Sequence, residues 1–175
     1  MTLEHIANYI SGFSDGEGCF CVSFSYRPQN IKVGWEVKPS FAVGQNYDRA
    51  ETLVLMQSYF KCGFMRRDYA DKTLKFEVRS IDDLLNYVIP HFQKYPLYSA
   101  KQKDFILFEK ICRKIKNKEH LNPFGMKEII VLAYQMNGSG KRKHSKEYVI
   151  AKVISDEDIV CAPRKRGNEH EVLTR

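Results

Sequence analysis

Through residues 19–26 the side chains alternate without a break. Phe20, Val22, Phe24 and Tyr26 share one parity, and Cys19, Cys21, Ser23 and Ser25 the other. Successive residues of a strand point to opposite faces, so this pattern predicts a half-buried β-strand. A second run follows at 35–45, setting Trp35, Val37, Phe41 and Val43 against Glu36, Lys38, Ser40 and Ala42. Pro39 lies inside it and cannot donate to a ladder, which predicts an edge position or a bulge. A second strand pair is expected at 64–67 and 73–79, where Leu74, Phe76 and Val78 alternate with Lys75, Glu77 and Arg79.

Helical spacing frames these pairs. Leu3, Ile6, Ile10 and Phe13 predict a helix over 3–14, and Asp48 reads as the N-cap of a helix to residue 60. Ser80 opens another in a capping-box-like pattern, ended near Pro90. Ser99 caps a long helix to about residue 116, Asn122-Pro123 starts one to about 136, and Ser145 starts a last one. Helix, strand pair, helix, strand pair, then helices makes an α+β fold with an antiparallel sheet. One domain is expected over 1–160, with a loosely ordered tail at 161–175.

A chain of 175 residues can bury its own core. No apolar run approaches membrane-spanning length, and the first residues lack the basic and apolar segments of a secretory signal. Five cysteines without a C-x-x-C spacing fit reduced thiols better than disulfides or structural zinc. The net charge of +7 is unevenly placed. Residues 101–146 hold twelve Lys and Arg against four Asp and Glu, leaving sixteen basic against seventeen acidic residues elsewhere. A polyanionic partner and a set of solvated helix faces both account for that gathering.

The stretch ISGFSDGEG, residues 10–18, places three glycines and two acids at the end of the first helix. Each glycine costs roughly 1 kcal/mol in a helix interior. Gly12 and Gly16 are four apart, so they share a face on which another helix can approach closely. Asp15 and Glu17 sit at the negative end of the helix dipole. Solvated acids at a glycine-rich helix stop are one explanation. A divalent cation held by carboxylate and carbonyl oxygens is the other.

The nine residues Ile10 to Gly18 resemble the LAGLIDADG motif of homing endonucleases, and the element order over about 3–116 is similar to that family's α-β-β-α-β-β-α core. A second copy of the motif is absent from the sequence. The resemblance therefore implies the single-motif, homodimeric branch, with Gly12, Phe13, Asp15 and Gly16 at the helix–helix interface. It also implies an antiparallel sheet shaped as a DNA-binding saddle. Metal binding is implied for Glu17 and the Gly16 carbonyl, with Glu17 standing where aspartate is commoner. Asp15 would be the more structural acid. Gln45, Arg49 and Lys101 would complete the catalytic pocket. The cofactor implied is Mg²⁺ or Mn²⁺, with Ca²⁺ binding but not supporting cleavage.

The implied function is site-specific double-strand cleavage of DNA by metal-assisted hydrolysis, on a long pseudo-palindromic target, leaving short 3′ overhangs. Strand parity nominates Cys21, Ser23, Ser25, Glu36, Lys38, Ser40, Ala42, Lys75, Glu77 and Arg79 as base contacts, with Arg27, Arg66 and Asp68 at strand ends. Ser139, Lys141, Arg142 and Lys143 fall in a basic loop expected to grip phosphates. Two alternatives share the scaffold: an RNA maturase assisting splicing of its own intron, and a non-catalytic DNA-binding regulator. The expected compartment is a prokaryotic cytoplasm or an organelle, mitochondrion or chloroplast.

Overall fold

The computed structural model describes residues 2–69, 72–138, 140 and 142–154. The predicted tail at 161–175, with Ser139 and Lys141, lies outside them. Helix α1 (Leu3–Glu17) leads directly into β1 (Gly18–Tyr26), which turns back as β2 (Trp35–Asn46). A 3₁₀ turn and α2 (Glu51–Phe60) connect to the hairpin β3 (Phe64–Asp68) and β4 (Thr73–Val78). A helical stretch follows, comprising α3 (Ile81–Asp83), a π-helical turn at Leu84–Val88 and α4 (Ile89–Lys94). The chain continues through α5 (Lys101–Lys116), α6 (Pro123–Ala133) and α7 (Lys146–Ala151).

The four strands form one antiparallel sheet in the order β1-β2-β4-β3. The predicted parity is seen directly. Phe20, Val22, Phe41, Val43, Phe76 and Val78 are buried against the helices, leaving the opposite face of the sheet uncovered by them. At the centre, the Phe20 ring lies 5.2–5.4 Å from those of Phe41, Phe92, Phe105 and Phe108. These are tilted, edge-on or offset aromatic contacts. A second cluster of Val33, Trp35, Met126, Ile130, Val149 and Val153 packs α6 and α7 over the far end of β2.

Pro39 is accommodated as an edge residue would be. β4 pairs with β2 only from Phe41 onward, so at Pro39 the strand has β1 as its ladder partner. Caps at Ser80, Asn122 and Ser145 form as expected, accepting from Asp83, Gly125 and Tyr148 main-chain N–H groups. Three helix starts or stops differ from expectation, the first being α5, whose N-cap is Ala100 rather than Ser99 and carries no side-chain cap. Asp48 belongs to the 3₁₀ turn and caps nothing, and α2 starts at Glu51 without a side-chain cap. Pro90 does not stop its helix. The wider turn at Leu84–Val88 precedes it, and Pro90 occupies the first turn of α4, where its missing N–H costs little.

The free edge of β1 is closed from far along the chain. Asn137 Nδ2 donates to Phe20 O at 2.8 Å, and Arg142 Nη1 to Val22 O at 3.3 Å. These two side chains satisfy carbonyls that an edge strand leaves open.

Candidate functional site

The end of α1 sits where the helix layer meets the uncovered face of the sheet. Gly18 is its C-cap, donating to Ser14 O, and a Cβ there would stand 2.6 Å from that same oxygen. Only glycine fits the passage from helix to strand. Gly12 and Gly16 differ: both are exposed, and a Cβ on either would meet nothing within 4 Å. The chain's own packing therefore does not require them to be glycine.

Asp15 turns inward. Its Oδ2 accepts from the Tyr98 and Ser99 main-chain N–H groups, each at 2.9 Å, and its Oδ1 accepts from Ser99 Oγ. Partial desolvation raises its pKa, but the Ser99 hydroxyl, these two N–H groups and the Lys101 charge outweigh it and hold the carboxyl below its ordinary value. Ser99 Oγ also accepts from Lys101 N at 3.1 Å, so Asp15 fixes the start of α5. Lys101 then reaches back, its Nζ donating to Ser14 O at 3.0 Å and Gly16 O at 3.2 Å. The positive charge facing the negative helix end is thus an ammonium of the chain itself.

Glu17 is exposed and has no hydrogen-bonding or ionic partner among the described residues. With Gln45 it lines a cavity of about 490 Å³ on the uncovered face, together with Cys21, Ser40, Ala42 and Lys75. The Gln45 side chain folds back, its Oε1 accepting from Asn46 N. Lys75 lays its stem over Gly44, which a side chain there would touch at 3.5 Å. Arg49 stands exposed in the 3₁₀ turn and does not line this cavity. The structure therefore gathers Glu17, Gly16 and Lys101 at one helix end with Gln45 across the cavity, and leaves Arg49 apart.

The oxygen donors suit a hard divalent cation in kind, one free carboxylate beside one carbonyl. They are half a site in number. Among the described residues no group of three His, Cys, Asp or Glu side chains could hold a metal ion.

The strand residues nominated for base contact do share the uncovered face. Ser23 and Lys38 are exposed, while Cys21, Ser25, Ser40 and Ala42 are half-buried. Ser23 Oγ is spent on Lys38 O at 3.4 Å. Glu77 departs from expectation: it is buried, and its Oε2 is paired with Arg79 and Arg66. Glu36 is paired with Arg27 and Lys38 in the same way. In each acid it is Oε2 that the cations hold. Arg142 also departs from the expected phosphate grip. Its guanidinium turns inward to Val22 O and Ala133 O and lies 4.5 Å from the centre of the Tyr134 ring, whereas Lys143 remains exposed.

Sequence reasoning missed the Asp15–Ser99 contact, because it joins residues 84 apart. It also missed His91, buried behind α1. Ser11 Oγ donates to Tyr95 O at 2.7 Å and stands 3.1 Å from His91 Nε2. With that hydroxyl proton already given, His91 holds its own on Nε2, and its Nδ1 accepts from Tyr59 OH at 3.0 Å. Burial pushes the imidazole pKa down to about 4.

Comparison with known proteins places this geometry. Residues 10–112 match the LAGLIDADG endonuclease family. The chain is 36% identical over 124 residues to probable intron-encoded endonuclease 2 of Neurospora crassa, covering 70% of this chain and 27% of that protein. Among solved structures, the I-LtrWI LAGLIDADG homing endonuclease bound to target DNA superposes with a TM-score of 0.80 at 31% identity, over 98% of this chain and 55% of that one. I-SmaMI, bound to uncleaved DNA in the presence of calcium ions, gives 0.71 at 30% identity, over 74% of this chain and 44% of that one. The chain spans about a quarter to a half of the length of the curated relatives it matches.

Proposed function

Because the chain belongs to the LAGLIDADG endonuclease family, we propose that it is an intron-encoded homing endonuclease that cuts both strands of a specific DNA duplex, acting as a homodimer. The observation that carries this is Glu17, an exposed and unpartnered carboxylate that ends α1 on the uncovered sheet face, with the Lys101 ammonium at the same helix end. A non-catalytic DNA-binding module has no need of that pairing.

Glu17 and the Gly16 carbonyl would hold Mg²⁺ or Mn²⁺ in company with the matching residues of a second motif. Such an ion activates water and offsets charge on the attacking and leaving oxygens when bound. Lys101 brings a fixed positive charge to the pocket where phosphate charge develops, and Asp15 keeps that lysine in place through Ser99. Gln45, across the cavity, orders solvent near the scissile phosphate. Arg49, exposed one turn beyond, contacts the backbone of the same strand.

The open Gly12–Gly16 face is what a twofold helix contact needs, and an isologous pair is the commonest oligomer geometry. Two copies supply two acids and two cleavage sites, matching a long pseudo-palindromic target cut to short 3′ overhangs. The sheet face then lies in the major groove, the groove that distinguishes all four base pairs. Among the described residues no helix is long and apolar enough to cross a membrane, and the compartment is that of the host intron, an organelle or a prokaryotic cytoplasm. Incubation of purified protein with duplex DNA spanning the intron insertion site and Mg²⁺ tests the function. Discrete double-strand products support it, and intact DNA at micromolar protein refutes it.

A further inference from the structure

Two carboxylates on the uncovered sheet face are built alike. Glu36 Oε2 lies 2.9 Å from Arg27 Nε and 3.0 Å from Lys38 Nζ. Glu77 Oε2 lies 2.8 Å from Arg79 Nη2 and 3.6 Å from Arg66 Nε. Each acid is shared by two cations. The four cationic side chains are 44–56% exposed, whereas Glu36 is 30% and Glu77 9% exposed. The acids lie beneath, and the cations stand on top.

A surface that only grips phosphate gains from each cation and loses from each anion, because its affinity is electrostatic. Two acids facing a duplex lower that affinity for every sequence. What they supply is direction. Long, flexible cations lose side-chain entropy when they settle on a base edge, and a fixed counter-charge removes part of that cost beforehand. Arg27 and Arg66 each come nearest to their acid through Nε. A guanidinium steadied by a fixed counter-charge is suited to fork the O6 and N7 of guanine. Arg79 is steadied on a second side by the Phe64 ring, 5.4 Å from its guanidinium carbon.

Given a sheet that lies in the major groove, as in the function proposed above, we propose that Glu36 and Glu77 are positioning residues for base readout, and that the target carries guanine where the Arg27 and Arg66 forks meet it. Glu36 sets one end of the reading face, through the β1–β2 hairpin. Glu77 sets a second point, through the β3–β4 hairpin. The acids make no base contact of their own.

Binding selection from a randomised duplex library, followed by affinity measurements on single-base variants of the enriched site, tests this on the full chain. The unmutated protein should enrich a site with fixed guanines. E77Q and E36Q should each lose roughly tenfold of the guanine preference, at different positions. Both should bind a random-sequence duplex more tightly, with a salt dependence steeper by about one contact. R66K keeps the charge and loses the fork, so it should lose guanine preference at the E77Q positions. A base profile unaltered in all three variants, or a uniform loss at every position, overturns the proposal. Should E77Q show no cooperative melting, E36Q carries the test from its more exposed acid. Absence of any enriched sequence for the unmutated protein would sink the endonuclease function itself, whereas an enriched site with unaltered variant profiles sinks only the positioning role.

Discussion

Lys101 Nζ donates to the main-chain oxygen of Gly16 at 3.2 Å, and with its bond to Ser14 O it places a positive charge on the last turn of α1. The Gly16 oxygen is the same one that a divalent ion would take. In the proposed site the lysine and the ion would share that oxygen. Lys101→Met removes two hydrogen bonds and a charge at a helix C-terminus, which together stabilise by about 1–2 kcal/mol. Thermal melting should register that loss. Single-turnover cleavage should fall on the order of 100-fold, and a variant cutting at the normal rate would remove Lys101 from the active site.

Glu17→Gln keeps the size and loses the charge of a side chain that has no partner among the described residues. Melting temperature and affinity for the target duplex should stay near those of the unmutated protein, while cleavage with Mg²⁺ disappears. Nicking at an undiminished rate would show that the metal is held elsewhere.

The glycines of the motif should separate cleanly by what each one meets. Gly18→Ala drives a Cβ to 2.6 Å from Ser14 O and should destabilise by about 1–3 kcal/mol. Gly12→Leu enters open space and gains up to about 1 kcal/mol of helix propensity. It should leave melting of the isolated chain intact yet prevent pairing of the two helices. Sedimentation of both proteins checks this: an unmutated chain that stays monomeric at micromolar concentration contradicts the dimer.

His91 predicts an acid-sensitive fold. Its folded pKa of about 4 lies below the ordinary value of 6.5. Between those limits the unfolded chain binds the extra proton, so stability is full above about pH 6.5 and declines as pH falls toward 4. The shift corresponds to roughly 3 kcal/mol across that window. His91→Gln also loses its bonds to Ser11 and Tyr59, which lowers stability at every pH. The informative quantity is the slope of stability between pH 6.5 and 4, which should be shallower in the variant. Equal slopes would mean that His91 is not the titrating group.

What the sequence made legible was periodic or local. Parity of two picked out the core face of β1, β2 and β4, and caps at Ser80, Asn122 and Ser145 form within three residues of themselves. Asp48 failed as a cap because a 3₁₀ turn intervened, a competition that composition does not resolve. Pro90 was tolerated because a widened turn preceded it. The site was legible where the motif carried it, in Gly16, Glu17 and Gly18. It was illegible where partners are distant in sequence: Asp15 with Ser99, Ser11 with His91, and Arg142 with Val22. Strand parity gives the face on which Glu77 lies, but not the two arginines that cover it.

The β1 edge is completed by Asn137 and Arg142, which lie 117 and 120 residues beyond the carbonyls they cover. A chain emerging from the ribosome therefore carries those β1 carbonyls uncovered until Asn137 and Arg142 have been made. Over that interval the strand can add to any other exposed strand, including that of a neighbouring nascent chain. Contacts of such long separation also slow the final closure. Translation that stops before residue 137 would leave the Phe20 and Val22 carbonyls open to pairing with a strand of another chain.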